Sequence, residues 1–306
     1  MRKKIGIFLG LAGIWALALC GMSHAANVSV NLGSTTGVDV YGPSATDFAG
    51  VAPTGVTAGA ATALSPVPTG WPTAATNTVL GSAIWITNPA LPSDTNSTSY
   101  SLFEDTFTPP CTASSMTGTL YTSTNNSGTV YLNGTAEGVG GSAPIVGTFT
   151  FTPVQGINTL GFDVATNGVT GTNPVGLLYN AVLTYTVPNV LWRPPLGTGR
   201  KILKNGSTLP IKFVLLKDSG RVLKTQQEVN VTITSPTGEI VGFSSGQGLK
   251  FAKGNGQYNA VFHPKDFGLQ KGVQYSINVV DSCSGAVLGS FLFQLTKAPG
   301  RHGNQL

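Results

Sequence analysis

The sequence predicts an all-β protein with two β-sandwich domains behind a signal peptide. Gly, Thr, Ser, Asn and Val dominate the composition, and charged residues make up only 9% of the chain. No stretch after residue 26 sustains the apolar period of an amphipathic helix. Short β-branched and aromatic runs instead alternate with clusters of Gly, Pro, Asn and Ser, at a spacing that is typical of sandwiches.

Residues 1–26 have the organisation of a secretory signal peptide. Arg2–Lys4 form a positive start, residues 5–19 are apolar, and Ser23–Ala25 has the small-residue pattern of a cleavage site. A retained membrane anchor is the alternative, but the apolar run is shorter than the roughly 20 residues that a spanning helix needs. We therefore expect a protein that is secreted, extracellular or periplasmic, with no transmembrane segment in the mature chain.

The first half contains strand-like runs at regular intervals. A leading strand at 28–32 precedes weakly patterned, loop-rich sequence up to about residue 80. The runs that follow are Ala83–Thr87, Ser99–Phe107, Thr117–Thr122, Gly128–Leu132, Gly147–Phe151, Thr159–Val164 and Leu177–Val187. Trp85, Phe103 and Phe107 lie in these runs and are expected in the core. Asn133-Gly134 predicts a type I′ hairpin, because this dipeptide accepts positive φ at both turn positions.

Several motifs of the first half occur in a characteristic order. They are Gly81–Ile86, Tyr100–Phe107, Thr129–Gly134, Gly156–Phe162 and Asn173–Tyr179. In this order they resemble the galactose-binding-domain-like jelly roll of secreted bacterial proteins and of sugar-binding modules. The resemblance covers about residues 27–187, and it implies a β-sandwich that binds carbohydrate.

The second half shows the alternation of strands with one buried face. Examples are Ile211–Leu215 and Val229–Ile233, with turn signals at Ser219-Gly220 and Pro236–Gly238. Gly206–Phe213 ends in Pro-Ile-Lys-Phe, and together with Gly256–Tyr258 and Ser290–Leu295 it resembles the Ig-like PxKF domain of secreted bacterial proteins. That resemblance covers about residues 200–297 and implies a spacer or an interaction module without catalytic residues.

The charge changes sign near Arg193. No Lys or Arg lies between Lys4 and Arg193, where seven acids give about −7; from Arg193 onward fourteen Lys and Arg against five acids give about +9. This asymmetry, together with a proline-rich boundary that favours an extended connection, predicts two separately composed domains. The predicted segments are a signal peptide at 1–26, a jelly-roll-like sandwich at 27–187, a linker at 188–196, an Ig-like sandwich at 197–298 and a tail at 299–306. Trp192, within the linker, is expected to pack between the domains.

Three residues are candidates for carbohydrate binding. Trp71 lies in a Gly/Pro loop, where its indole either stacks on a sugar ring or anchors the loop to the core. Asn167 and Asn173 lie in an amide-rich loop whose side chains could hydrogen-bond sugar hydroxyls, although turn formation alone also explains them.

No motif of catalysis or of metal binding emerges from the sequence. His263 and His302 are isolated, and no nucleophile motif, phosphate-binding loop or Cys pair with metal spacing is present. Glu104 and Asp105 are neighbours on a strand, so they point to opposite faces and are expected on a solvated edge. No cofactor and no bound metal are expected, although the fold class admits a structural Ca²⁺ held by loop carbonyls and Asp39 or Asp47.

The mature chain has two cysteines, Cys111 and Cys283, one in each charge half. An interdomain disulfide and two unpaired thiols both remain open. Since one possible bridge does not make a disulfide framework, the unpaired state is favoured.

The leading functional hypothesis is a secreted, non-catalytic protein that binds extracellular polysaccharide or a cell-surface glycan. The alternatives are a structural or adhesive component of an extracellular matrix or surface layer, and a polysaccharide-acting enzyme without a recognisable motif. Self-association through the opposite charges is a further expectation. Nucleic acid is not expected as a partner, because the lysines are dispersed and stacking aromatics do not accompany them.

Overall fold

The structure is a computed structural model that describes residues 26–90, 99–165, 176–198, 202–204 and 207–296. The predicted signal peptide, apart from Ala26, and the predicted tail lie outside the described residues. Within the described ranges the chain consists of strands, loops and three 3-10 helices of three or four residues, Thr78–Leu80, Leu196–Thr198 and Pro264–Phe267. The prediction of an all-β fold with sandwich domains is confirmed.

The strands of the first half form two sheets that pack face to face. Their bounds are β1 (Ala26–Gly33), β2 (Asp39–Ser44), β3 (Gly59–Ala60), β4 (Thr62–Ala63), β5 (Ile86–Thr87), β6 (Tyr100–Phe107), β7 (Ser114–Thr124), β8 (Ser127–Leu132), β9 (Thr135–Val139), β10 (Gly141–Ser142), β11 (Gly147–Phe151), β12 (Asn158–Ala165) and β13 (Leu177–Val187). One sheet has six strands in the order β3-β2-β6-β12-β8-β9. The other has seven strands in the order β10-β7-β13-β5-β4, with β1 also paired to β13 and β11 to β7.

Alternating apolar residues of both sheets fill the space between them. Phe162 of β12 stacks on Tyr179 of β13 with ring centroids 4.4 Å apart, so the two sheets meet through aromatic contact. Phe103 and Phe107 belong to the same buried cluster, and Trp85 belongs to a second cluster at one end of the sandwich. All three predicted core aromatics are therefore buried.

The hairpin predicted at Asn133-Gly134 joins β8 to β9. Asn133 has φ 50° and Gly134 has φ 78°, the two positive values that a type I′ turn requires. The Asn133 side chain also accepts the backbone N–H of Thr159 at 2.8 Å, which ties the turn to β12.

The strands of the second half follow one continuous path of hydrogen-bonded neighbours. Their bounds are β14 (Asn189–Trp192), β15 (Ile202–Lys204), β16 (Leu209–Leu216), β17 (Val229–Ser235), β18 (Gly238–Ser245), β19 (Gly248–Ala252), β20 (Gln257–Phe262), β21 (Gln274–Asp281) and β22 (Val287–Thr296). The order is β14-β16-β20-β19-β18-β17-β21-β22-β15. Contacts such as Phe262 of β20 with Phe293 of β22 show that the two ends of this path face each other across a common core.

Part of the predicted linker belongs to this second sandwich. β14 pairs antiparallel with β16, and Trp192 packs edge-on against Phe213 and Phe291. The expectation that Trp192 packs between the domains is therefore wrong. Alternation places Val190 and Trp192 on one face of β14, and that face packs against the second core.

Candidate functional site

Trp71 anchors its loop on the core of the first sandwich. Its ring lies 4.4 Å from that of Trp85, centroid to centroid, and the Trp85 indole N–H donates to the carbonyl of Pro72 at 2.6 Å. Gly176 leaves space for both rings, because a Cβ there would lie 3.0 Å from Trp85 and 3.1 Å from Trp71. Trp71 is half-buried, so part of the ring remains open to a ligand.

Asn167 and Asn173, the other two predicted carbohydrate-binding residues, lie outside the described residues. The role of the three candidates in carbohydrate binding stays a prediction. The described part of the first sandwich has a second surface that is rich in carboxyl groups.

That surface is the outward side of the six-stranded sheet, here called the acidic face. Core residues alternate with outward residues on each strand, and pairing aligns Asp39 of β2 with Glu104 of β6. Two residues further along the strands, Tyr41 and Asp163 form a second row, in which both are paired with Leu102 of β6. Tyr131 of β8 extends the first row. No Lys or Arg lies between Lys4 and Arg193 to neutralise these carboxyl groups.

The loop that follows β2 covers part of the acidic face. The carboxylate of Asp163 accepts the backbone N–H of Phe48 at 2.8 Å, and Glu104 accepts the N–H of Ala52. Gly50, with φ 71°, lies against the ring of Tyr131 so closely that a Cβ at this position would overlap the ring. Backbone N–H groups therefore take the place of the missing basic side chains, and the carboxylates hold the loop on the sheet.

Asp163 and Asp47 form a carboxyl pair under this loop. Asp163 is 4% exposed, and its Oδ1 has no donor from an N–H or O–H group of the described residues. Burial is the largest cause, and the adjacent Asp47 carboxyl the second, that raises the pKa of Asp163 to about 8. The interaction with Asp163 lowers the pKa of Asp47. A proton held on Asp163 and shared with Asp47 accounts for the orphaned oxygen and for both directions.

The neighbouring pair Glu104 and Asp105 points to opposite faces, as predicted, but it does not lie on a solvated edge. β6 lies between β2 and β12, so it is an inner strand of the sheet. Asp105 points into the sandwich and accepts a hydrogen bond from the Tyr179 hydroxyl at 2.7 Å. Burial raises the pKa of Asp105, and burial with the nearby Asp39 raises that of Glu104. The prediction of an edge was wrong because the pairing of β2 with β6 spans a long, weakly patterned segment.

Three groups of side chains bring together donor atoms of the kind that bind cations. The sequence analysis named Asp39 and Asp47 as candidate calcium ligands. Asp47 lies beside Asp163, whereas Asp39 lies beside Glu104. Among the described residues, a set of three metal-type ligands is formed by Cys111, Glu228 and Cys283. The two sulfurs of that set are joined in a disulfide, so they are not available as thiolate ligands.

The disulfide between Cys111 and Cys283 joins the two sandwiches, and the expectation of unpaired thiols is wrong. The two Cα atoms are 5.6 Å apart, although 172 positions separate the residues in the chain. The sequence contained no sign of this proximity, because it results from how the loop before β7 meets the turn after β21.

Asp281 forms a clamp beside the disulfide. Its carboxylate accepts the backbone N–H groups of Cys111 at 3.1 Å and Thr112 at 2.9 Å, both from the first half of the chain. It also accepts the N–H groups of Cys283 and Ser284 in its own turn. Asp281 is fully buried, so this single carboxylate orders both sides of the junction.

A groove of about 500 Å³ lies next to this junction. It is lined by residues of β7, the end of β13 and the loop after β16, including Thr112, Thr186, Lys217 and Leu223. The groove is open, and the charged side chains in its lining are Lys217 and Asp218, neighbours in the exposed turn after β16.

Sequence reasoning missed Asp163 and Asp281, the two most deeply engaged carboxylates. Asp163 follows an apolar strand pattern in Leu160-Gly-Phe-Asp, and Asp281 ends the run Ile277–Val280. A charged residue inside or at the end of a buried strand is the signal that could have identified both, because carboxylates are rarely buried without partners.

No protein-family model matches the sequence, and no curated protein is similar to it. Among the described residues, no helix has the length and apolar character needed to cross a bilayer. Solved structures that show some likeness to this chain include bacterial β-glucuronidases. That of Faecalibacterium prausnitzii is 12% identical with a TM-score of 0.33, over 88% of this chain and 46% of its own. Those of an uncultured Clostridium sp. and of Ruminococcus gnavus are 9% and 10% identical with TM-scores of 0.31 and 0.30, over 88% of this chain and 45% and 44% of theirs. The chain thus spans less than half of these enzymes, and at this level of likeness no argument about activity follows from them.

Proposed function

We propose that the mature chain is a non-catalytic binding protein that acts outside the cytoplasm on extracellular polysaccharide or a cell-surface glycan. The observation that carries the proposal is the use of the carboxyl groups in the first sandwich. Asp163 accepts the N–H of Phe48, Asp47 accepts that of Ala49, Glu104 lies against the backbone of Ala52, and Asp105 accepts the hydroxyl of Tyr179. A hydrolase needs two carboxyl groups that are free to face one glycosidic bond, and these groups are engaged elsewhere.

The carbohydrate part of the proposal rests on the resemblance of the first half to galactose-binding-like jelly rolls and of the second half to PxKF domains. Its support in the structure is the half-exposed Trp71 ring, which is held in place by Trp85. A fixed aromatic ring suits stacking on a sugar, because little side-chain entropy is lost on binding.

A glycan array probed with the mature chain tests the proposal. Binding to at least one class of polysaccharide is expected, together with no release of sugar from any bound polymer. Turnover that a single substitution such as Glu104→Gln abolishes would overturn the non-catalytic assignment.

The second candidate is a structural or adhesive component of a matrix or surface layer. The junction favours it, because a disulfide and the Asp281 clamp hold together two sandwiches that are otherwise connected by a short stretch of chain. A protein of this class would bind no glycan on the array and would still attach to cell-free matrix.

A further inference from the structure

The second sandwich carries a row of basic side chains without a carboxylate partner among the described residues, and the amide of Asn259 lies between two of them. Lys212 of β16 is paired with Asn259 of β20, and Asn259 is paired with Lys250 of β19. On the other side of β16, the N–H of Arg193 bonds the carbonyl of Lys212 at 2.8 Å. Three neighbouring strand positions therefore align Lys212, Asn259 and Lys250 across the sheet, and Arg193, the residue after β14, extends the row.

These four side chains share the outward side of the sheet, because the alternate residues are in the core. Trp192, Phe213, Tyr258 and Phe251 lie on the inward side and contact one another in that order. This inner aromatic ladder fixes the strands that carry the outer row. Neighbouring positions in such a row are about 4.8 Å apart, so the cations form a line rather than a cluster.

The outward surface around this row, here called the basic face, has no acidic residue on its four strands β14, β16, β19 and β20. In the described part of the chain, no carboxylate forms an ion pair with Arg193, Lys212 or Lys250. The acids nearest to these cations in sequence, Asp218 and Glu239, lie in the turn after β16 and on β18, outside these four strands.

Amide and apolar groups accompany the cations. The Gln257 amide donates to Asn259 at 2.6 Å, which places a second amide beside the row. Leu191 and Val261 lie on the same outward side and are 37% and 51% exposed. Cations, amides and flat apolar groups are the set that recognises acid groups, hydroxyls and ring faces of an acidic sugar chain.

We propose that the basic face binds an anionic polysaccharide, with the carboxylate or sulfate groups of the polymer along Arg193, Lys212 and Lys250 and its hydroxyls on Asn259 and Gln257. This inference rests on the proposed function, since it names the ligand class of a glycan-binding protein. It places that ligand on the second sandwich rather than at Trp71.

The acidic face of a second copy of this chain is the competing occupant. Its Asp163, Asp47 and Glu104 already bind backbone N–H groups or each other, so few free carboxylates remain there for a partner. A polymer that carries one acid group per repeat offers a longer line of charge to a linear row of cations.

The test measures binding of the mature chain to polygalacturonate and, in parallel, to uncharged dextran. Saturable binding to polygalacturonate is expected, with loss at about 0.5–1 M salt because exposed charges are then screened. Lys212→Gln with Lys250→Gln should weaken binding about tenfold, since two exposed charge contacts are removed. The matched control, Lys265→Gln with Lys271→Gln, removes two exposed lysines outside the basic face and should leave the affinity unchanged.

Equal weakening by both double variants would overturn the inference, because it would reduce the interaction to net charge. Equal binding to dextran would also overturn it, while leaving the proposed glycan-binding function intact. Light scattering tests whether a second copy of the chain binds there instead. If the chain associates with rising concentration, if the Lys212→Gln/Lys250→Gln variant does not associate, and if no polymer binds, the basic face is an interface between two copies. Lys212→Arg with Lys250→Arg keeps the charge and should retain polymer binding, which separates charge from misfolding.

Discussion

The carboxylate of Asp281, on the last residue of β21, accepts the backbone N–H of Thr112 at 2.9 Å, across 169 positions of sequence. With the N–H of Cys111 on the other carboxylate oxygen, this contact joins the two sandwiches independently of the disulfide. We expect Asp281→Asn to lower the free energy of unfolding by about 3 kcal/mol, because charge-assisted bonds are lost and an amide NH₂ group faces N–H donors. Urea denaturation measures the change. Asp218→Asn, in an exposed turn, is the control, and an equal effect of the two substitutions would contradict the clamp.

The disulfide and the clamp should contribute separately. Replacing Cys111 and Cys283 by Ser together should cost about 2–5 kcal/mol, because the disulfide closes a long loop in the unfolded chain. Since Asp281 still holds residues 111 and 112, small-angle scattering should show the same overall dimensions for the variant. An expanded particle would mean that the disulfide alone sets the junction.

The carboxyl pair under the loop predicts a pH dependence. A carboxyl group whose pKa is higher in the folded state binds its proton more tightly when folded, so stability is lost as pH rises from about 4, the value of an unfolded Asp, to about 8 for Asp163. Asp163→Asn keeps an acceptor for Phe48 and supplies an N–H for Asp47. Its melting temperature should therefore equal or exceed that of the wild type at pH 8–9 and change less between pH 5 and 9. A wild-type melting temperature that rises over this range would contradict the shared proton.

The position of β14 predicts where the chain can be divided. A fragment that starts at Asn189 retains Trp192 against Phe213 and Phe291, whereas one that starts at residue 197 lacks it. We expect the shorter fragment to be less stable by about 3 kcal/mol, because it loses the pairing of β14 with β16 and the packing of the partly buried Trp192. Thermal unfolding of the two fragments measures the difference. Equal stability would mean that β14 acts as linker and not as part of the second sandwich. The complementary fragment 27–187 should show a cooperative transition of its own.

The contact of Trp71 with Trp85 predicts a stability effect at a candidate ligand site. Trp71→Ala should lower the melting temperature by several degrees, because about 1 kcal/mol corresponds to 2–4 °C in a domain of this size. Trp85→Ala should cost about 3–5 kcal/mol, since that ring is fully packed. Trp71→Phe retains an aromatic surface and serves as the control. An unchanged melting temperature for Trp71→Ala, with glycan affinity weakened by about 1–3 kcal/mol, would assign the ring to stacking instead.

The sequence alone determined the fold class and much of the strand layout. The runs at 147–151 and 177–187 coincide with β11 and β13, and the Asn133-Gly134 hairpin has its expected backbone. These features are local: period-two alternation and positive-φ turn residues act over a few neighbouring positions. The weakly patterned strand β2 was not predicted, because its place in the sheet depends on pairing with β6, which is distant in sequence.

Only the tertiary structure decided which side chains meet. The pairing of Cys111 with Cys283, the clamp of Asp281 and the shared proton of Asp163 each join residues that are more than a hundred positions apart. The row of Arg193, Lys212, Asn259 and Lys250 likewise depends on strand register, which aligns residues from four separate segments. Local pattern reveals which face of a strand is buried, but register and packing choose the partner, because they depend on the free energy of the whole core rather than on any one segment.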